Sequence, residues 1–205
     1  GKTTLLRVLQ GLVRPTSGLV EVDGNNLASL DLSFYRQQVC LVDNHPTFFS
    51  GTIEENIRRA KPNISSYEFN EILEVSGLTA ISKSLPEGLS THLDVTASTL
   101  SQSHKLIVAM ARALATSSNL ILLDETAQSL DKYSQLHFKK NVDNITKGKT
   151  LILVTNDLRF LTEFDYIIVM DEGHIENHGT HDKLLNESKL YRELFEGEQA
   201  LSSHI

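Results

Sequence analysis

Asp124 and Glu125 are adjacent carboxylates closing a short apolar run, Leu120-Ile121-Leu122-Leu123. The run is too short for a helix and is bounded by polar residues, which is how a strand buried on both faces reads. In open α/β sheets, ligands sit outside the carboxyl ends of such strands. One acid to hold a metal ion and one to activate a water is the pair that a nucleoside triphosphate site requires. At the start of the chain, Gly1-Lys2-Thr3-Thr4 runs into Leu5, Leu6, Val8, Leu9 and Leu12 at helical spacing, with Gly11 near the end. A Gly-Lys-Thr that opens a helix is the tail of a phosphate-binding loop. Backbone N–H groups close on phosphate oxygens, Lys2 reaches the terminal phosphates, and the Thr3 hydroxyl holds Mg²⁺. Each signal alone is weak: the acids could be a turn after a strand, and G-K-T-T a chance helix start. Together they make a two-part nucleotide site.

The elements that would position these residues alternate strand and helix on both flanks. Gly18–Gly24 alternates apolar and polar residues between two glycines and is expected to be a strand with a turn at each end. Val39–Val42 is a short apolar strand followed by the loop signal Asp43-Asn44-His45-Pro46. A mainly helical stretch follows Ser50-Gly51-Thr52. Glu54 and Glu55 fall in the first turn of a helix that breaks at Pro62, Ser65 or Ser66 caps a second helix from Tyr67 to Val75, and a third covers Ala80–Leu85. Leu100-Ser101 begins a helix whose Ile107, Met110, Ala111 and Leu114 share a face. After the Leu120–Asp124 strand come a helix from Asp131 to Ile145, strands at Thr150–Thr155 and Tyr166–Met170, and a Gly173 turn into His174–Asn177. Two short helices, Thr180–Leu185 and Lys189–Phe195, complete the pattern. Residues 52–117 are therefore expected to lack strands, as a helical insert within an α/β core formed by 1–51 and 118–205.

At 205 residues the chain can bury a sizeable core, and its 40% hydrophobic and 22% charged content is that of an ordinary globular protein. A net charge of −7 argues against a nucleic-acid partner held through phosphates. The single cysteine, Cys40, lies in an apolar run and allows no disulfide within the chain. No apolar stretch approaches the length that spans a bilayer. The abrupt opening at Gly1, without a Met, leads us to expect a piece of a longer protein, so this says little about the parent. His174, His178 and His181 are close in sequence, but no Cys or carboxylate cluster completes a metal site, and a hairpin surface accounts for them.

The order and spacing of these pieces resemble the nucleotide-binding domain of ABC transporters of the exporter type, over nearly the whole chain. Gly1–Thr4 matches the end of the Walker A motif. Leu120–Glu125 with Ser129-Leu130-Asp131 is similar to Walker B and the D-loop. Phe49–Ile53 with Glu55-Asn56-Ile57 resembles the segment after the Q-loop, and Ala109–Leu114 the helix after the signature motif. Asp171-Glu172-Gly173, Gly179-Thr180-His181 and Leu184-Leu185 resemble the closing hairpin and helix. The resemblance implies an α/β P-loop NTPase (RecA-like) core with a mostly parallel sheet and an inserted α-helical subdomain carrying the signature. It implies ATP and Mg²⁺ as ligands, a second nucleotide-binding domain as a head-to-tail partner in a homo- or heterodimer, and a transmembrane domain in the same or a partner chain. Location at the cytoplasmic face of the membrane follows. Gly1, Lys2, Thr3 and Thr4 would bind phosphates, Thr3 and Asp124 would hold Mg²⁺, the latter through water, and Glu125 would polarise the attacking water. Ser101 and Ser103 would face the ATP of the partner domain.

Three positions depart from the family pattern. The Q-loop glutamine, which meets Mg²⁺ and the attacking water, aligns with Asn44, which keeps the amide on a shorter arm. The signature, usually L-S-G-G-Q, reads Leu100-Ser101-Gln102-Ser103-His104. Its two glycines would let a partner's phosphate approach bare backbone, so Gln102 is expected to weaken the closed pair. The switch histidine aligns with Asn156, which keeps one hydrogen-bond donor and no charge option. Losing one such donor costs on the order of 10²–10³ in rate. Two readings follow: an ATPase of reduced activity coupled to export, and a pseudo-ATPase that binds ATP opposite a competent partner. A soluble ABC protein of repair or translation fits the exporter-like Ser50–Ile57 segment less well.

Overall fold

The computed structural model describes residues 1–202. Its centre is β6 (Leu120–Asp124), flanked in parallel by β3 (Val39–Val42) on one side and β7 (Thr150–Val154) on the other. Ile121, Leu122 and Leu123 are all essentially solvent-free. They divide by the two-residue period of the strand. Ile121 and Leu123 enter the large apolar cluster on one face, while Leu122 meets Leu6 and Val154 on the other. The continuous apolar run therefore reports burial on both faces, as its composition predicts.

Helix α1 (Lys2–Leu9) covers the second face through Leu6, whereas Leu5 and Leu12 stay exposed. The expected Gly18–Gly24 strand is shorter than its alternation suggests: β1 (Glu21–Val22) turns at Asp23-Gly24 and pairs with β2 (Asn25–Asn26). Both turn residues have positive φ, the tight-hairpin geometry that suits Asp-Gly. Next comes α2 (Leu32–Gln37), capped by the Asp31 carboxylate.

The first face is covered by α3 (Ile53–Ala60), α4 (Ser66–Ser76), α5 (Leu78–Ser84) and α6 (Gln102–Ala115). Thr52 and Glu55 form a reciprocal capping box at the start of α3, and Ser65 caps α4. Gly77 turns α4 into α5 at φ +83°, and a Cβ there would stand 3.0 Å from the His137 ring. The expectation that 52–117 lacks strands needs one correction. β4 (Gly51–Thr52) pairs antiparallel with β5 (His92–Leu93), tying the entry of α3 to the loop before α6.

Helix α7 (Lys132–Thr146), capped by Asp131, adds Phe138, Val142 and Ile145 to the interior. β8 (Ile167–Asp171) and β9 (His174–Gly179) form a separate antiparallel hairpin. With α8 (His181–Glu187) and α9 (Lys189–Ser202), it encloses a small cluster of Leu158, Ile167, Val169, Leu184 and Tyr191. Tyr191 is buried and meets His181 Nδ1 through its hydroxyl at 2.8 Å. Among the described residues, no helix is long and apolar enough to cross a membrane.

Candidate functional site

At the carboxyl end of β6 the structure opens a cleft of about 350 Å³, lined by Thr3 and Arg7 of α1, Gln10 at its C-cap, Asp43, Asn44 and His45 after β3, and Asp124 and Glu125. Thr3, Asn44, Asp124 and Glu125 were expected to meet, and the chain brings them into one cleft. Arg7 and Gln10 were not expected there. They lie four and seven residues after Thr3, so the helical period places all three on one face of α1, a signal readable from the sequence. Gly1 is the N-cap of α1, its carbonyl accepting from Leu5 N at 3.0 Å. Lys2 and Thr4 begin the same helix but do not line the cleft.

Two oxygens stand out among the side chains of the cleft. Asn44 Oδ1 and Asp124 Oδ1 are both buried, and neither has a hydrogen-bond partner within the protein. Buried polar atoms are seldom left so, and a bare amide oxygen and a bare carboxylate oxygen on residues of one cleft suit a hard cation. Among the described residues, no group of three or more His, Cys, Asp or Glu side chains could hold a metal. A cation here would rely on Thr3, Asn44 and Asp124 together with phosphate and water oxygens, the mixed oxygen set that Mg²⁺ accepts. The residues present therefore fit Mg²⁺.

Glu125 leaves the strand with φ +53°, in the left-handed region that an ordinary side chain seldom occupies. Its N–H still donates to Val154 O at 2.9 Å, so the main chain stays on β7 while the side chain turns away. Glu125 Oε1 accepts from Asn156 Nδ2 at 3.3 Å. Glu125 and the residue aligned with the switch histidine are thus neighbours, with the amide donating to the carboxylate.

The loop carrying Asn44 is fastened at several points to the helices. Gln102 Nε2, at the start of α6, donates to the Asn44 carbonyl. Arg112 Nη1 donates to Thr47 O at 2.7 Å, and its guanidinium lies over the Phe48 and Phe49 rings. Asn56 is buried and brackets Phe49, accepting from its N–H and donating to its carbonyl, both at 2.9 Å. Burial pushes the Arg112 pKa down from its usual value, the mark of a cation held in the structure rather than in water.

At the signature positions the structure departs from expectation. Ser101 is exposed and caps α6, accepting from His104 N at 3.2 Å. Ser103, expected to face the ATP of a partner, has its hydroxyl bonded within its own chain. It is buried, and Ser103 Oγ donates to Asp131 Oδ2 while accepting from Asp131 N at 3.0 Å. The first turn of a helix points side chains back over its own N-terminal surroundings, and that surface is the D-loop of the same chain. Burial opposes the Asp131 carboxylate, but hydrogen bonds from Ser103, Ser134 and the Tyr133 backbone outweigh it and hold its pKa below the ordinary range.

Comparison with known proteins places this geometry. Residues 1–128 match the family described as ABC transporter. An ABC transporter B family member 2 of Dictyostelium discoideum is 34% identical over 194 residues, 95% of this chain and 14% of its own length. The mitochondrial potassium channel ATP-binding subunit of Xenopus tropicalis is 33% identical over 195 residues, 95% of this chain and 28% of its own. A solved bacterial Atm1-family ABC exporter with ATP bound superposes with a TM-score of 0.89 at 26% identity, covering 98% of this chain and 35% of that one. The chain thus spans well under half the length of each of these relatives. The parallel sheet, the cleft at its carboxyl end and these matches agree on one assignment: the chain belongs to the ABC transporter family and is its ATP-binding, P-loop NTPase domain, homologous to those of exporters.

Proposed function

We propose that the cleft binds ATP with Mg²⁺ and hydrolyses it, as one half of a head-to-tail pair that drives a transmembrane transporter from its cytoplasmic face. The observation that carries this reading is the pair of buried, unpartnered oxygens, Asn44 Oδ1 and Asp124 Oδ1, next to a carboxylate held by Asn156. Bound Mg²⁺ would supply charge neutralisation at the phosphates. The chain's own residues do the rest: the α1 N-terminus binds phosphate, Lys2 would reach in to it from outside the cleft lining, Thr3, Asn44 and Asp124 would hold the cation, and Glu125 orients and polarises water. Asn156 holds Glu125 toward the cleft and offers the γ-phosphate a single neutral donor. The partner would be a second nucleotide-binding domain, approached through Ser101 and His104 and through the Asp131 loop. Closure of such a pair on ATP shifts a population by contacts made only when closed.

Single-turnover ATP cleavage by the full-length protein, alone and with any paired subunit, tests the proposal. Cleavage that disappears in Glu125→Gln, with ATP binding retained, is the expected result. Tight binding without cleavage in either setting would replace the enzyme by a regulatory ATP-binding subunit.

A further inference from the structure

The two signature positions where glycine is replaced carry side chains that bond within this chain. Gln102 Nε2 donates to the carbonyl of Asn44, 58 residues earlier. Ser103 engages Asp131, 28 residues later. One turn of α6 is therefore fastened to the loop that carries Asn44 and to the Asp131 loop. On the Asn44 side the tether meets the residue whose side-chain oxygen is buried without a partner. The neighbouring backbone is held too, since the Asp43 carboxylate accepts from His45 N at 2.9 Å. The next fastening along the loop is Arg112 to Thr47 O, three residues beyond Asn44. With Gln102 removed, the Asn44–His45 peptide would keep only the bond from its N–H to Asp43, and its carbonyl would lose the tie to α6.

We propose that Gln102 is a positioning residue in cis: by holding the Asn44 carbonyl it draws this loop inward and aims the short Asn44 amide oxygen at the cation site of its own chain. This rests on the Mg²⁺ reading of the cleft. An amide on a one-carbon arm cannot search for its ligand as a longer one can, so its backbone has to be placed for it. A glycine at 102 has no atoms with which to do this. The replacements at 44 and 102 then act as one unit, the second offsetting the lost reach of the first.

The measurement is the ratio of affinities for the non-hydrolysable analogue AMP-PNP in Mg²⁺ and in EDTA, made on the full-length protein. Gln102→Ala and Asn44→Ala should each lower the ratio roughly 2- to 10-fold, the range for one lost hydrogen bond. The double variant should fall no further, because the two residues serve one contact. For Gln102→Ala, affinity in EDTA should stay unchanged. Gln102→Glu guards against a merely structural effect. An acid at a helix N-terminus favours the helix but cannot donate to the carbonyl, so its melting temperature should hold while its ratio drops. Asn44→Gln in the Gln102→Ala background should recover the ratio. An unchanged ratio in Gln102→Ala and Gln102→Glu, or losses that multiply in the double variant, would overturn the inference and leave the cation reading standing. A parent protein whose affinity is the same in Mg²⁺ and EDTA would overturn the cation reading itself, and this inference with it.

Discussion

Glu125 holds a backbone conformation that costs about 1–3 kcal/mol for a residue with a Cβ. The cost is sustained because its N–H is bonded to Val154 on the adjacent strand, which leaves the carboxylate free to turn to Asn156. That amide is where this site differs most from one with a histidine. Asn156→His restores a donor that can carry charge, and the single-turnover cleavage rate is expected to rise by roughly 10²-fold. Rapid-quench measurement of ATP cleavage checks it, and an unaltered rate would mean that position 156 does not face the reacting phosphate. Asn44→Asp would set a second charge beside Asp124 and is expected to strengthen Mg²⁺ dependence while slowing nucleotide release. A titration of nucleotide binding against Mg²⁺ is the check.

Among the elements, the loop from Asp43 to Ser50 owes its shape to side chains reaching in from the helices. Asn56, buried, holds both the N–H and the carbonyl of Phe49 and also donates to Thr52 O at 3.0 Å. Its replacement by Ala would strand these groups, and a loss of about 2–3 kcal/mol is expected by urea unfolding. The tie between α6 and the D-loop has a pH signature. Because the Asp131 pKa is depressed on folding, its contribution is present above the ordinary aspartate value of about 3.9 and is lost as pH falls through the lower folded value. Ser103→Ala should cost about 1 kcal/mol at neutral pH. Its deficit relative to the parent should shrink on acidification below about pH 4, as seen in chemical denaturation repeated across pH. Much of this level could be read in advance. The apolar run 120–123 specifies burial on both faces, and Ser65, Thr52 and Asp131 announce helix starts by their chemistry. The pairing of Gly51–Thr52 with His92–Leu93 could not, since two residues carry no period and the partner lies far along the chain. Nor could the inward turn of Ser103, because a hydroxyl in a helix's first turn suits a partner's phosphate as well as a neighbouring carboxylate.

For the molecule as a whole, the apolar interior is divided. The large cluster joins β6, α3 to α7 and Phe160, whereas the closing hairpin and its helices keep a small cluster around Leu184 and Tyr191. Burial pushes the Tyr191 pKa up to about 12, consistent with a hydroxyl enclosed beside His181. Cooperative units follow apolar contacts, so amide exchange should open residues 167–195 at a lower free energy than the β6 strand. Uniform protection across both regions would contradict the division. The sheet carries a different consequence, one of timing. β3 has no neighbour other than β6 among the described strands, and at its edge Gln38 meets Asn119 across 81 residues of chain. At ribosomal speeds of roughly 5–20 residues per second, that interval lasts roughly 4–16 s. During it, Val39-Cys40-Leu41-Val42 has been synthesised while its one neighbour among the described strands has not. The central sheet is therefore among the last parts of this domain that a growing polypeptide can complete, and the strand that leads to Asn44 must be kept from other partners until then.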